Sequence, residues 1–235
     1  MRKLLLLSSF IITSGIANAA EPSTQSKLDE RKAEFSKTAS EKKKNDYEEG
    51  IRLVEQSGVL DGAKNVGDTA PDFMLNNAVG EPVKLSSLLE QGPVVMIWYR
   101  GEWCPYCNIY LEDIQAHVGE FKEAGAQVVA ISPETPDNGW TLQDKLDIEF
   151  HVLSDFKSEV AEEYGILYEL PPKIAEAYES AFELSKKNDD DRFVLPLSAS
   201  YVIDQDGTIT YAFLDADYRN RAETSVLLEE VKGLK

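Results

Sequence analysis

The stretch Val94-Val95-Met96-Ile97-Trp98-Tyr99-Arg100-Gly101-Glu102-Trp103-Cys104-Pro105-Tyr106-Cys107 decides how this chain is read. Its first six residues form a continuous apolar run after Pro93, the pattern of a strand buried on both faces. Cys104 and Cys107 follow at Cys-x-x-Cys spacing and are the only 2 cysteines of 235 residues. Tyr110, Leu111, Ile114, Val118 and Phe121 extend the face begun by Cys107, which predicts a helix to about Ala124. Pro105 falls in its first turn, where a missing N–H costs nothing. A buried strand running through a two-sulfur turn into a helix suits thiol–disulfide chemistry. The free N–H groups and dipole of the helix start stabilise a thiolate. Arg100 is the nearest cation in sequence, opposed by Glu102, and Gly101 permits a tight path into the turn. Trp103 is expected to shield one side of the sulfur from water.

Upstream, residues 1–20 read as an export signal. Arg2 and Lys3 precede a short apolar segment, and Ala17-Asn18-Ala19 is a small-residue cleavage pattern. The segment is too short and too interrupted by serine and glycine to span a bilayer, so stable membrane insertion is not expected. Residues 21–65 form a polar, helical N-terminal arm with a weak stripe at Leu28, Phe35 and Ala39, then a stronger one at Tyr47, Ile51 and Val54. Three roles are open to it: covering a sheet edge, extending a homodimer contact, or spacing the domain from something else. The compact domain spans 66–235, with a helical insert near 171–190.

The formal charge of −18 disfavours nucleic acid and anionic membrane surfaces as partners. An exported chain with two cysteines this close is not a disulfide-stapled scaffold, because so small a loop restrains the unfolded chain little. The spacing also fits half a zinc site. His117 and His151, on a helix and a strand edge, do not complete it, so no metal is expected. Strands at 94–99, 128–131 and 150–153 alternate with helices. A hairpin then turns at Asp204-Gln205-Asp206-Gly207, and Val226, Leu227, Val231 and Leu234 mark a final helix. This is an α/β sandwich with a mixed central sheet flanked by helices, carrying an N-terminal helical extension.

In order and spacing, several segments resemble the peroxiredoxin-like branch of the alkyl hydroperoxide reductase/thiol-specific antioxidant family. They are Val66-Gly67-Asp68-Thr69-Ala70-Pro71-Asp72-Phe73, Tyr99 to Cys107, Val128-Val129-Ala130-Ile131-Ser132-Pro133-Glu134, Leu153-Ser154-Asp155, Val160 to Gly165 and Tyr201 to Gly207. The resemblance implies a thioredoxin-like fold, no cofactor, and reduction of peroxides by a cysteine at a helix start. A thioredoxin-like electron donor would regenerate the enzyme. Cys107 matches the peroxide-attacking cysteine of the family pattern Pro-x-x-x-Thr-x-x-Cys. Arg100 stands at its proline and Cys104 at its threonine. Ser198 stands where members tend to carry an arginine before the late strand. Trp103 to Cys107 also resembles the site of thioredoxins and glutaredoxins, in which the first cysteine attacks. The order of attack is therefore open at this level, with the helix end favouring Cys104 as the more exposed thiolate. One activity implied is a thiol-dependent peroxidase cycling Cys104 and Cys107 between dithiol and disulfide. The alternative is a thioredoxin-type reductase or isomerase acting on protein disulfides outside the cytosol, and a third reading is a binding module with a static bridge.

Overall fold

In the computed structural model, residues 22–234 are described; residues 1–20, which the sequence reads as an export signal, lie outside them. Two helices open the chain, α1 (Thr24–Thr38) and α2 (Glu41–Glu55), each capped by a serine side chain that accepts a first-turn N–H, and a short α3 (Val59–Gly62) follows. Then come β1 (Met74–Asn77), β2 (Pro82–Lys84), α4 (Leu85–Leu89), β3 (Val94–Trp98), α5 (Pro105–Ala116), α6 (Val118–Glu123) and β4 (Gln127–Ser132). The chain continues through α7 (Pro136–Leu146), β5 (His151–Ser154), α8 (Glu159–Glu163), β6 (Leu167–Glu169), α9 (Pro172–Phe182) and α10 (Leu184–Asn188). It ends with β7 (Val194–Pro196), β8 (Ser198–Ile203), β9 (Ile209–Asp215) and α11 (Thr224–Gly233).

The sheet has 7 strands in the order β2-β1-β5-β4-β3-β8-β9. β3 lies inside it, parallel to β4 and antiparallel to β8. Every residue of β3 is buried, and the two-residue side-chain period splits the strand between two cores. Val94, Met96 and Trp98 face one core with Tyr164, Tyr201 and α9. Val95, Ile97 and Tyr99 face the other, with α5, Phe121 and α11. Mixed pairing follows from the connections. Helical crossovers link β3, β4 and β5 in parallel, whereas the β8–β9 hairpin returns antiparallel.

The long helix anticipated from 105 to 124 is broken at His117, whose N–H turns back to the Ile114 carbonyl. The apolar stripe continues through the break because Val118 and Phe121 still reach the core of α5. After β5 ends at Ser154, α8 begins five residues later, at Glu159. The Asp155 carboxylate accepts the N–H groups of Val160 and Ala161 at 3.1 and 2.9 Å and so caps α8 across an intervening turn. The small β6–β7 pair, which the sequence did not announce, brackets the helical insert.

Candidate active site

The turn after β3 is held from several directions. The Cys104 N–H donates to the Gly101 carbonyl at 3.1 Å, and the Glu102 N–H donates to Glu134 Oε2 at 2.7 Å. The Asn108 side chain donates to the Glu102 carbonyl at 2.9 Å, and Lys187 pairs with the Glu102 carboxylate at 2.6 Å. Gly101 has φ +146°. A Cβ there would lie 2.3 Å from Trp103 Nε1 and 2.8 Å from the Glu134 carboxyl carbon, so no larger residue fits. Cys104 is the N-cap of α5 and Pro105 its first residue, which places Cys107 within the first turn.

Both cysteines are free, and both are buried, at 1% and 0% exposure. Cys104 is therefore not the exposed thiol that its position at the helix end led us to expect. The two differ in their partners. Arg221 Nη2 donates to Cys107 Sγ at 3.3 Å. Arg221 Nη1 donates to the Ser198 hydroxyl and to the Tyr218 and Asn220 carbonyls, which fixes the guanidinium plane against the sulfur. Burial pushes the Cys107 thiol up. The hydrogen bond from Cys104, the charges of Arg221 and Arg100, and the Arg100 backbone N–H together outweigh burial and hold it well below the usual thiol range. Burial raises Cys104, and its hydrogen bond and charge repulsion with Cys107 raise it further. The proton of the pair thus sits on Cys104, and Cys107 is the thiolate.

Around the sulfurs stands an aromatic shell. Arg100 is 2% exposed, and its guanidinium carbon lies 4.0 Å from the centre of the Tyr218 ring and 4.9 Å from those of Trp103 and Tyr178. Trp103 stacks on Phe182 at 4.9 Å, which ties the site to the helical insert. Glu134 is fully buried. Burial lifts its carboxyl to about 8 against the pull of the Glu102 N–H and the Lys187 charge, so it is largely protonated at neutral pH. A cavity of about 140 Å³ opens on Cys104, walled by the turn, by α1 and α2, by α9 and by the loop after β9.

Of the residues singled out in the sequence, Cys104, Cys107, Arg100, Trp103 and Pro105 come together in the turn. Ser198 reaches them from β8 through its bond to Arg221. His117 Nδ1 engages the Asp113 carbonyl at 2.8 Å and His151 lies in β5. Among the described residues no group of three His, Cys, Asp or Glu is placed to hold a metal ion. Sequence reasoning missed Arg221, Tyr218 and the part that the arm takes in walling the site. Arg221 is 114 residues from Cys107, in a segment whose only visible cue is two arginines in an acidic chain.

A dithiol turn at the start of α5, beside a mixed sheet with a helical crossover, defines a cysteine-site protein of the thioredoxin-like, peroxiredoxin-type fold. The chain belongs to the AhpC/TSA family, which matches residues 66–212. It is similar to chloroplastic peroxiredoxin Q of Sedum lineare, 33% identical over 100 residues that make up 43% of this chain and 53% of that protein. It is also similar to the thiol-disulfide oxidoreductase ResA of Halalkalibacterium halodurans, 29% identical over 103 residues, 43% of this chain and 56% of that one. The matched part thus spans little more than half the length of these curated relatives. In fold it resembles the peroxidoxin BcpB of Mycobacterium tuberculosis, with a TM-score of 0.58 and 23% identity over 73% of this chain and 98% of that one.

Proposed function

We propose that the protein is a thiol peroxidase that reduces hydrogen peroxide or organic hydroperoxides through a Cys104/Cys107 dithiol–disulfide cycle. One observation carries this reading: the buried Arg221 guanidinium donates to Cys107 Sγ at 3.3 Å, which favours the thiolate on that cysteine of the pair. The family and the peroxiredoxins it is similar to support it.

In the first step the Cys107 thiolate attacks the terminal oxygen of ROOH. The S–O bond forms, the O–O bond breaks, and the leaving alkoxide takes from solvent the proton that the Cys107 thiol had released on ionising, departing as ROH. Arg221 and Arg100 face the negative charge as it passes from sulfur to the leaving oxygen. Cys104 then attacks the Cys107 sulfenic acid, forming the S–S bond and releasing water. The dithiol and ROOH have become a disulfide, ROH and water. An external thioredoxin-like dithiol restores the pair by exchange. Burial of both sulfurs beneath the arm weighs against a folded protein disulfide as the substrate. We also read residues 1–20 as an export signal, placing this chemistry in the periplasm or outside the cell. Mass spectrometry of the mature N-terminus checks that reading.

The cycle is tested by stopped-flow reaction of the reduced protein with hydrogen peroxide and by dimedone trapping. Cys107→Ser is expected to abolish peroxide consumption and trapping. Cys104→Ser is expected to retain the first step and accumulate a trappable sulfenic acid. Trapping that survives in Cys107→Ser would overturn the assignment.

A further inference from the structure

The two halves of the cycle need openings of different size. A small peroxide passes through the cavity of about 140 Å³ over Cys104, whereas a folded dithiol donor must bring one of its own sulfurs into contact with the pair. Neither sulfur is within a donor's reach in this structure, since Cys104 is 1% exposed and Cys107 is fully buried. What lies over them is in large part the arm. Leu28 of α1 packs in the same core as both cysteines and Tyr106, and Phe35 and Tyr47 wall the mouth. Both helices stand upstream of residues 66–212, the part matched by the family, so the cysteine-bearing fold does not itself supply this cover.

Two polar latches hold the arm. In the first, Lys27 and Thr24 of α1 meet the buried Asp113 of α5. In the second, the Glu48 carboxylate of α2 accepts Arg219 Nη1 and Nη2 at 2.5 and 3.1 Å, and Asp217 also pairs with this buried arginine. The second latch sits on the loop that serves the sulfur. Arg221, two residues on, donates to Cys107 Sγ and, through its other nitrogen, to the Tyr218 and Asn220 carbonyls on either side of Arg219. The side chain that faces the sulfur thus orders the backbone that aims Arg219 at Glu48. A hydrogen bond to an anionic sulfur is roughly twice as strong as one to a neutral acceptor. Joining Cys107 to Cys104 therefore weakens the contact that orders residues 217–221 and, with it, the second latch.

We propose that α1 and α2 form a redox-governed gate, latched over the reduced cysteines and released when the Cys104–Cys107 disulfide forms, so that a protein dithiol reaches the pair only after peroxide has been consumed. The proposal rests on the dithiol–disulfide cycle above and adds its regulation. Regeneration itself is thiol–disulfide exchange. A donor thiolate attacks one sulfur of the pair and the other leaves as a thiolate. The donor's second thiol then displaces the first, so that two electrons and two protons pass from the donor to the pair.

Hydrogen exchange on the wild-type protein, fully reduced and after oxidation by diamide, tests the release. Amides of residues 24–55 are expected to exchange about tenfold faster in the oxidised form, as the loss of one charge-assisted contact would give, while β3 and β4 stay equally protected in both. Diamide makes the disulfide without peroxide, so this result is separate from the peroxidase reading, which failure to consume hydrogen peroxide would sink. A kinetic test uses Lys27→Met combined with Glu48→Gln, two residues that touch neither sulfur. Bacterial thioredoxin, kept reduced by its reductase and NADPH, should regenerate the oxidised double variant about tenfold faster than the wild type, with hydrogen peroxide consumed by the reduced variant at an unchanged rate. Equal protection of residues 24–55 in the two redox states, a regeneration rate that the substitutions leave alone, or an equal gain in the peroxide step overturns the gate.

Discussion

Two arginines bear on one sulfur in different ways. Arg221 donates to Cys107 Sγ directly. Arg100, which stands at the proline of the family pattern, contributes charge and a backbone N–H. Ser198 occupies the place where the family tends to carry an arginine, and its hydroxyl instead anchors the one that arrives from the loop before α11. Arg221→Met removes the charge and the sulfur contact while keeping much of the volume. A hydrogen bond to a charged group contributes about 1.5–3 kcal/mol, so the first step should slow roughly 10- to 150-fold. The pH profile separates this role from a merely structural one. A depressed Cys107 pKa keeps the wild-type rate near its plateau down to about pH 6, where an ordinary thiol with a pKa of about 8.5 is almost wholly protonated. In Arg221→Met the acid limb should move to higher pH, because a positive charge that favoured the thiolate is gone. A slowed rate with an unmoved limb would show that Arg221 acts on geometry alone.

At the scale of elements, the arm is clamped to the cysteine helix. The buried Asp113 of α5 accepts the hydroxyls of Thr24 and Thr224, each at 2.6 Å, and pairs with Lys27. The Thr24 N–H reaches the Glu223 carboxylate at 2.9 Å, and Leu28 is fully buried against α5 and its neighbours. On the other side α2 approaches α9 so closely that a Cβ on Gly50 would sit 2.6 Å from Ile174 Cγ1. The arm thus covers the cysteine helix and the site mouth, a role outside the three that its composition left open. Asp113→Ala leaves two buried hydroxyls and Lys27 without their acceptor, at a cost of about 1–3 kcal/mol for the groups stranded. Hydrogen exchange should report it as lost protection across residues 24–38, with little change in β3 and β4. Uniform loss over the whole chain would argue that the arm and domain open as one unit.

Across the whole molecule, stability should carry the signature of Glu134. Its folded pKa of about 8 lies above the ordinary 4.5, so the folded chain keeps a proton that the unfolded chain has lost. The stability tied to that proton is complete below about pH 4.5 and falls as pH rises to about 8. Burial raises Asp155 in the same sense, but only to about 6, so the two separate above that pH. Between about pH 6.5 and 8 the Cys107 thiolate works in the opposite sense, because the unfolded thiol keeps a proton that the folded one has released, so Glu134→Gln should make Tm rise with pH more steeply than in the wild type. An identical slope in both proteins would show that Glu134 is ionised when folded.

The strand–turn–helix around Cys104 and Cys107 was legible in the sequence because its signals are local. A six-residue apolar run, a glycine, two sulfurs and a first-turn proline each constrain the backbone within a few positions. The mixed sheet was legible from the spacing of its strands. The break at His117 was not, since the apolar face runs through it unchanged. Nor was the docking of α1, whose stripe is weak and whose hold on the domain comes from Thr24, Lys27 and Leu28 meeting groups about 90 to 200 residues away. By itself the sequence determined that two cysteines would meet at a helix start. Only the tertiary structure decided which of them is the thiolate. That choice depends on Arg221 standing beside Cys107 and on both sulfurs being out of water, and neither proximity nor burial across 114 positions is written in local pattern.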